Sequence, residues 1–166
     1  LSKDEVEKMR KEAEEQASEE LAKKEKIETR NHADTMLYTA EKTLKDIAAF
    51  TDPKTEMVDF YSGVGAISLP ISKNRARSTL VDNNQQAIEF AKHNIKENRL
   101  LNCEALCVPS ENMTKLIARD KLIILDPPRA GLADRVTSRL LISAPPRIIY
   151  LSCDLSTQAR DISRLS

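Results

Sequence analysis

The apolar positions divide the chain into two parts with different periodicities. Up to residue 51 nearly half of the side chains are charged, and neither glycine nor proline occurs before Pro53. The apolar residues form a thin stripe at roughly helical spacing, which includes Val6, Met9, Ala13, Ala17, Ile27, Met36, Leu37, Ala40 and Leu44. The pattern predicts one or two long helices, marginal without a partner surface, and leaves helix-mediated self-association open. Ser2 and Glu5 form a capping box, which predicts that the helix begins near Lys3.

Beyond residue 51, short apolar runs alternate with stretches of helical periodicity. Strands are predicted near Met57–Phe60, Ser78–Val81, Ala105–Val108, Leu122–Leu125 and Ile148–Leu151. Helices are predicted near Ala66–Ser72, Asn84–Asn98, Glu111–Ala118 and Ala133–Leu141, with a last one starting near Ser156. Such alternation predicts an α/β fold with a doubly wound, mostly parallel sheet over residues 51–166, preceded by a helical segment over residues 1–50. Ligands of such sheets bind at the carboxyl ends of the strands.

Composition adds limits on the compartment and on the partners. The chain has 26 basic and 26 acidic side chains, so its net charge does not indicate a nucleic acid or a membrane surface as partner. Its three cysteines are an odd number, and no signal-peptide pattern accompanies them, so we expect free thiols in a reducing, cytoplasmic compartment. Cys103 and Cys107 lack the spacing of a metal site and are interpreted as structural. No apolar run approaches the roughly 20 residues that a membrane span needs.

Two features near the first strands suggest a nucleoside site. A loop with Gly63 and Gly65 follows the first strand, where glycine lets the backbone approach a ligand closely and the next helix offers free N–H groups. The third glycine of the dinucleotide fingerprint is missing. Asp82 closes the second strand, where a carboxylate can accept hydrogen bonds from ribose hydroxyls. Alternatively, the glycines serve only a tight turn and Asp82 only caps the next helix.

Two further features follow the fourth and fifth strands. Asp126 comes directly after the fourth strand and precedes two prolines, which stiffen the loop and would hold its carboxylate at the mouth of a site. Cys153 ends the fifth strand at the turn into a helix, a position where open α/β sheets carry reactive groups. The alternatives are a rigid turn for Asp126 and an inert thiol for Cys153.

Three motifs in sequence order resemble one family. DFYSGVG (residues 59–65), LDPPRAGL (125–132) and YLSCDLSTQARD (150–161) are similar to motifs of the RNA 5-methyluridine methyltransferases, which use S-adenosylmethionine. The resemblance covers residues 47–166. It implies a Rossmann-like methyltransferase fold, S-adenosylmethionine as cofactor, and an RNA, tRNA or rRNA, as substrate.

The resemblance also implies a role for each matching residue. Tyr61 with the loop of Gly63 and Gly65 would hold the methionine end of the cofactor, and Asp82 its ribose. Asp126 would lie between the cofactor and the target base. Cys153 would add to carbon 6 of uracil, which makes carbon 5 nucleophilic. The family's general base, a glutamate downstream of the cysteine motif, has no match here, so we expect cofactor binding to be retained more readily than turnover.

The first part of the chain resembles a different family. LSKDEVEKM (residues 1–9) and ETRNHADTMLYTAEKTLKD (28–46) are similar to the helical lid of the DnaK-type heat-shock chaperones. This resemblance, over residues 1–46, implies a lid-like helical piece without the chaperone's peptide-binding and ATPase domains. The alternative to an enzyme is therefore an interaction module whose helices define its role, joined to an inert methyltransferase fragment.

Overall fold

The helical and the α/β parts predicted from the sequence both occur. The computed structural model describes the backbone of residues 3–166 and the side chains of residue 20, residues 23–109 and residues 112–166. The chain forms two compact units, Leu1–Thr43 and Leu44–Ser166. The predicted capping box lies outside the described part of the chain, which includes neither Ser2 nor the side chain of Glu5.

The first part is one continuous helix, α1, over Lys3–Ala49. Its described side chains up to residue 43 are exposed, among them the apolar Ile27, Met36 and Leu37. Hydroxyls on this helix bond the carbonyl four residues earlier, as Thr39 does to Thr35 at 2.9 Å. No helix among the described residues is both long and apolar enough to cross a membrane.

The second part is a five-stranded sheet with helices between the strands. The strands are β1 (Glu56–Phe60), β2 (Ser78–Asp82), β3 (Cys103–Cys107), β4 (Lys121–Leu125) and β5 (Arg147–Tyr150). The helices are α2 (Ser68–Ser72), α3 (Gln85–Glu97), α4 (Ser110–Met113), α5 (Asp134–Ser143) and α6 (Leu155–Leu165). The strand order is β3-β2-β1-β4-β5, and every pairing is parallel. This topology confirms the predicted fold class.

Most predicted elements differ from the structure by one or two residues at their ends, and one differs in kind. The helix predicted over Glu111–Ala118 is the short α4 followed by a 3₁₀ turn over Thr114–Leu116, because buried Met113 and Ile117 anchor a chain that must turn at once toward β4. Strand β3 begins at Cys103, two residues earlier than predicted, because Cys103 pairs with Ser78 of β2. Cross-strand pairing is not visible in a single apolar run.

Both faces of the sheet are covered by apolar side chains. Val58 and Phe60 of β1 pack into one cluster with α5, and Met57, on the opposite face, packs with Ile47 from the end of α1. Ile88 of α3 belongs to a third cluster, against β2 and β3. The resulting core fixes β1 at the centre of the sheet, so the loop that follows β1 starts from a rigid base.

One charged side chain lies inside this core. Asp59 of β1 is fully buried, and neither of its carboxyl oxygens has a hydrogen-bond partner among the described residues. The nearby Ser68 hydroxyl is likewise unpartnered. Burial raises the pKa of Asp59 from 3.8 to about 7; the Ser68 hydroxyl beside it acts against this rise, and the negative charges of Asp126 and Asp82 add to it. The carboxyl is therefore largely neutral below about pH 7.

Asp59→Asn is expected to stabilise the chain more at high than at low pH. The folded-state pKa lies above the unfolded value, so between these values the folded chain holds a proton that the unfolded chain releases, and wild-type stability falls as the pH rises. The variant lacks this titration, so its free energy of unfolding relative to wild type should rise by on the order of 2 kcal/mol between about pH 5 and pH 8. Urea denaturation at several pH values measures it.

The matched control is Asp120→Asn, which removes an exposed carboxylate just before β4. Its stability should run parallel to wild type across the same pH range. Equal pH slopes for wild type and Asp59→Asn would show that Asp59 is already ionised in the folded chain at pH 5.

Candidate active site at the carboxyl edge of the sheet

Four loops meet at one edge of the sheet. Because the strands are all parallel, the loops that follow β1, β2, β4 and β5 leave from their carboxyl ends on the same side. The residues singled out from the sequence lie on these loops or at these strand ends, namely Tyr61, Gly63, Gly65, Asp82, Asp126 and Cys153. Among the described residues, no group of three or more His, Cys, Asp and Glu side chains is arranged to hold a metal ion.

The glycine loop and Asp82 are in direct contact. The Gly63 N–H donates to Asp82 Oδ2 at 2.9 Å, and the Asn84 N–H donates to Oδ1 at 2.9 Å. The cap of α3 is not Asp82 but Asn84, whose side chain accepts from the Ala87 N–H at 3.1 Å. Each carboxylate oxygen keeps a further lone pair, so Asp82 can still accept two hydrogen bonds from a ligand.

The two glycines of this loop meet different surroundings. Gly63 has φ +53°, and a Cβ at this residue would have no atom within 4 Å. Gly65 has φ +86°, and its Cβ would lie 2.7 Å from the side chains of Leu69 and Leu80. Close packing of α2 on β2 therefore accounts for Gly65, while Gly63 leaves open space for a ligand. A ligand contact by Gly65 stays a prediction.

Tyr61 and Ser62 connect β1 to the glycines. Tyr61 has φ +62°, a left-handed conformation that non-glycine residues rarely adopt. Its ring packs partly buried against the core cluster of Val58 and Phe60. Burial, followed by the negative charge of Asp161, raises the pKa of Tyr61, so its phenol remains a hydrogen-bond donor. The Ser62 hydroxyl is buried without a hydrogen-bond partner among the described residues, which leaves a polar atom available in the loop.

The Asp126 loop is fixed at both ends. The Asp126 N–H donates to the Phe60 carbonyl at 3.3 Å, which continues the pairing of β4 with β1. Pro127 is buried, and the Gly131 N–H closes a turn onto the Pro128 carbonyl at 2.8 Å. The Asp126 residue is exposed at the edge, yet partial burial of its carboxyl raises the pKa of Asp126.

Cys153 lies exposed in the turn between β5 and α6. The Ser152 hydroxyl accepts from the Asp154 N–H at 3.1 Å, which shapes the turn. Asp154 then caps α6 by accepting from the Thr157 N–H at 2.9 Å. The thiol is therefore accessible on a turn whose backbone is held on both sides.

The sequence pattern did not single out two buried carboxylates, Asp59 and Asp161. Asp161 of α6 is fully buried and accepts hydrogen bonds from the Leu132 N–H at 2.7 Å and from the Tyr150 hydroxyl at 2.9 Å. Burial alone would raise the pKa of Asp161, but these bonds and the Arg160 guanidinium outweigh it and lower the pKa. A charge within an apolar strand could have signalled Asp59. For Asp161 the only sign was its place in the motif of residues 150–161.

A cavity of about 560 Å³ lies beside the glycine loop, between α2 and α3. Its lining includes the apolar Val64 and Leu69 and the polar Lys73, Asn94 and Asn98. Among the site residues predicted from the sequence, only Gly65 lines this cavity. We assign the candidate site to the carboxyl edge, because the carboxylates and the exposed thiol are found there.

Comparison with known proteins identifies the family. The sequence model of the family described as tRNA (Uracil-5-)-methyltransferase matches residues 33–166. An uncharacterized RNA methyltransferase of Clostridium acetobutylicum is 36% identical over 117 residues, which are 68% of this chain and 25% of that protein. Another, of Nanoarchaeum equitans, is 34% identical over 133 residues, 79% of this chain and 29% of that protein. The chain thus spans between a quarter and a third of the length of these relatives.

Solved structures agree with the fold. The tRNA (uracil-54, C5)-methyltransferase of Pyrococcus abyssi, in complex with S-adenosyl-L-homocysteine, superposes with a TM-score of 0.71 at 30% identity, over 78% of this chain and 32% of that one. A precorrin 8W decarboxylase of Methanobacterium thermoautotrophicum has a TM-score of 0.64 at 19% identity, over 75% of this chain and 69% of that one, and shares the fold alone.

These matches also test the two family resemblances, to the methyltransferases and to the chaperone lid. The family match begins at residue 33, before the predicted start at residue 47 and inside the segment that resembles a chaperone lid. The chaperone resemblance of residues 1–46 finds no support in these matches. The three motifs lie at the carboxyl edge of a parallel sheet, and the family model matches most of this chain. The chain therefore belongs to the tRNA (uracil-5-)-methyltransferase family.

Proposed function

We propose that this chain is the part of an S-adenosylmethionine-dependent RNA (uracil-5-)-methyltransferase that holds the cofactor and supplies the cysteine nucleophile. The substrate would be a uridine in RNA, in a tRNA or an rRNA. The observation that carries the proposal is the exposed Cys153 thiol on the same strand edge as Asp126 and the Gly63–Asp82 contact. The family match and the likeness to an enzyme solved with S-adenosyl-L-homocysteine support it.

The residues at the edge fit the cofactor. Asp82 has acceptor capacity beyond its two backbone donors, as a ribose diol requires. The space above Gly63 would admit a ligand against the backbone, and the buried Ser62 hydroxyl lacks a partner in the described part of the chain. Tyr61 and the loop of Gly63 and Gly65 would hold the methionine end. When bound, S-adenosylmethionine would supply an electrophilic methyl group.

The thiol would provide the nucleophilic step. Carbon 5 of uracil is too electron-poor to accept a methyl group directly, so the Cys153 thiolate adds to carbon 6 and forms a C–S bond. The electron pair of the 5,6 double bond then makes carbon 5 nucleophilic. As carbon 5 bonds the methyl group, the bond from that methyl group to the sulfonium sulfur would break and leave S-adenosyl-L-homocysteine. Loss of the carbon 5 proton to a base would then restore the double bond and expel the thiolate. We assign that base to none of the described residues.

Asp126 would act between the cofactor and the base. Its backbone is fixed to β1 at Phe60, and its carboxyl is exposed at the edge while its pKa is raised by partial burial. A carboxyl in this position can accept a hydrogen bond from the polar edge of a uracil held in the site. The target base must leave its stack to reach the thiol.

Asp82→Asn is expected to weaken cofactor binding by the 166-residue chain. An amide has one acceptor oxygen instead of two, so the Gly63 N–H and a ribose hydroxyl would compete for it. The loss of charge-assisted hydrogen bonds should raise the Kd for S-adenosylmethionine by roughly ten- to hundredfold, or about 1.5–3 kcal/mol. Isothermal titration calorimetry measures it.

Asp120→Asn is the matched control, because it makes the same change just before β4, at the opposite edge of the sheet. It should bind the cofactor as wild type does. Absence of binding to the wild-type chain at millimolar cofactor would contradict the cofactor site, and equal affinities of Asp82→Asn and Asp120→Asn would contradict the role of Asp82.

Cys153→Ser is expected to abolish a covalent adduct with RNA that contains 5-fluorouridine. Fluorine on carbon 5 cannot leave as a proton does, so the adduct formed after thiolate addition and methyl transfer persists and shifts the protein on a denaturing gel. A serine hydroxyl is far less nucleophilic than a thiolate and should leave no detectable adduct.

Cys107→Ser tests the specificity of the thiol, because Cys107 is also exposed and ends β3. This variant should form the adduct at the wild-type rate. Adduct formation that survives Cys153→Ser, or is lost in Cys107→Ser alone, would move the nucleophile away from Cys153.

A further inference from the structure

The carboxylate of Asp161 joins three elements below the candidate site. Oδ2 accepts from the backbone N–H of Leu132, on the loop after β4, and from the hydroxyl of Tyr150, at the end of β5. Oδ1 accepts from the Arg160 guanidinium, from Nε at 3.0 Å and Nη2 at 2.8 Å, and Arg164 Nη1 lies 3.6 Å away. A fully buried carboxylate with donors on both oxygens is rigidly held.

The loop after β4 is docked on α6 at close range. A Cβ at Gly131, where φ is +83°, would lie 2.4 Å from Asp161 Oδ2 and from Arg160 Nη2. It would also lie 2.5 Å from the Thr157 methyl carbon. The Arg160 Nη2 group also donates to the Ala130 carbonyl at 2.8 Å. Only a glycine permits this approach, so the loop backbone rests directly on the Arg160–Asp161 pair.

These contacts join the two segments that carry the proposed chemistry. Asp126 begins the loop that contains Leu132, and Cys153 lies between Tyr150 and the start of α6. We infer that Asp161, held by Arg160, is a positioning residue that fixes the Asp126 loop relative to the Cys153 turn. The inference rests on the proposed function, in which Asp126 and Cys153 act on the same uridine.

A purely stabilising role is the competing interpretation, because Leu132 is itself buried in the core. The two roles differ in what the loss of Asp161 changes. A stabilising residue lowers the free energy of unfolding and leaves the folded site as it was. A positioning residue also changes the surroundings of Asp126 and the rate of the covalent step at saturating ligands, because small displacements of reacting groups slow a reaction strongly.

Two variants should separate the Asp126 loop from α6, each for a different physical reason. In Asp161→Asn the amide keeps one acceptor oxygen and replaces the other with an NH₂ group. Either Leu132 N–H and the Tyr150 hydroxyl, or the Arg160 guanidinium, then lose their acceptor. Gly131→Ala leaves the charges in place and pushes the loop away by steric overlap. Tyr150→Phe removes a single hydrogen bond and is the mild member of the series.

The first measurement does not depend on activity. Carbon-13 NMR titration of the Asp126 carboxyl in the 166-residue chain should give a pKa above the ordinary aspartate value in wild type, as its partial burial requires. In Asp161→Asn and Gly131→Ala the pKa should fall toward the ordinary value, and in Tyr150→Phe by less. The Leu132 amide should lose protection from hydrogen exchange in the same order.

The second measurement is the rate of adduct formation with 5-fluorouridine RNA at saturating S-adenosylmethionine and RNA. Asp161→Asn and Gly131→Ala should slow it by about tenfold or more. The matched control is Ile88→Ala, which destabilises the core against β2 and β3 without touching the loop. It should leave both the Asp126 pKa and the saturated rate within about twofold of wild type.

An unchanged Asp126 pKa in folded Asp161→Asn and Tyr150→Phe would overturn the inference and leave Asp161 a stabilising residue. If Asp161→Asn does not fold, Tyr150→Phe decides the matter by the same titration. Failure of the proposed function would be recognised differently, because the wild-type chain would then form no adduct with 5-fluorouridine RNA. The titration and the exchange data would still support or overturn the positioning role in that case.

Discussion

Parallel pairing of β1 with β2 on one side and with β4 on the other fixes the centre of the sheet. It places the carboxyl ends of three strands side by side, and β5 extends the same edge beyond β4. Groups that are far apart in sequence thereby meet, as Gly63 meets Asp82. The ladder even continues past the last residue of β4, where Asp126 bonds to Phe60. The position of the candidate site is thus a consequence of backbone hydrogen bonding.

Two buried carboxylates have pKa values shifted in opposite directions. Asp161 receives donors from three elements, and its pKa is lowered although burial acts against it. Asp59 receives none among the described residues, and burial raises its pKa to about 7. The first is an ionised connection between loops. The second is a largely neutral acid at the centre of the sheet, next to the glycine loop, where burial outweighs the opposing effect of the Ser68 hydroxyl.

The three glycines are required for two different physical reasons. Gly65 and Gly131 permit close packing, since a Cβ at either residue would overlap a neighbouring side chain. Gly63 has open space instead, so its left-handed backbone serves the loop shape and the approach of a ligand. Glycines that look equivalent in a motif therefore differ in cause. Tyr61 adopts a similar left-handed conformation with a full side chain, which indicates that the turn after β1 is tightly determined by its surroundings.

The amino-acid sequence alone predicted the alternation of strands and helices, because apolar runs and amphipathic stretches have distinct periods. It also predicted Asp82, Asp126 and Cys153 as candidate site residues, because each lies at or just after the end of an apolar run. It did not determine the 3₁₀ turn after α4, where the path to β4 overrides helical propensity. Nor did it show that Asp59 and Asp161 are buried, because the burial of a polar side chain depends on donors and neighbours from elements that are distant along the chain. Which carboxylates receive hydrogen bonds, and which loops are held together, therefore became visible only in the folded chain.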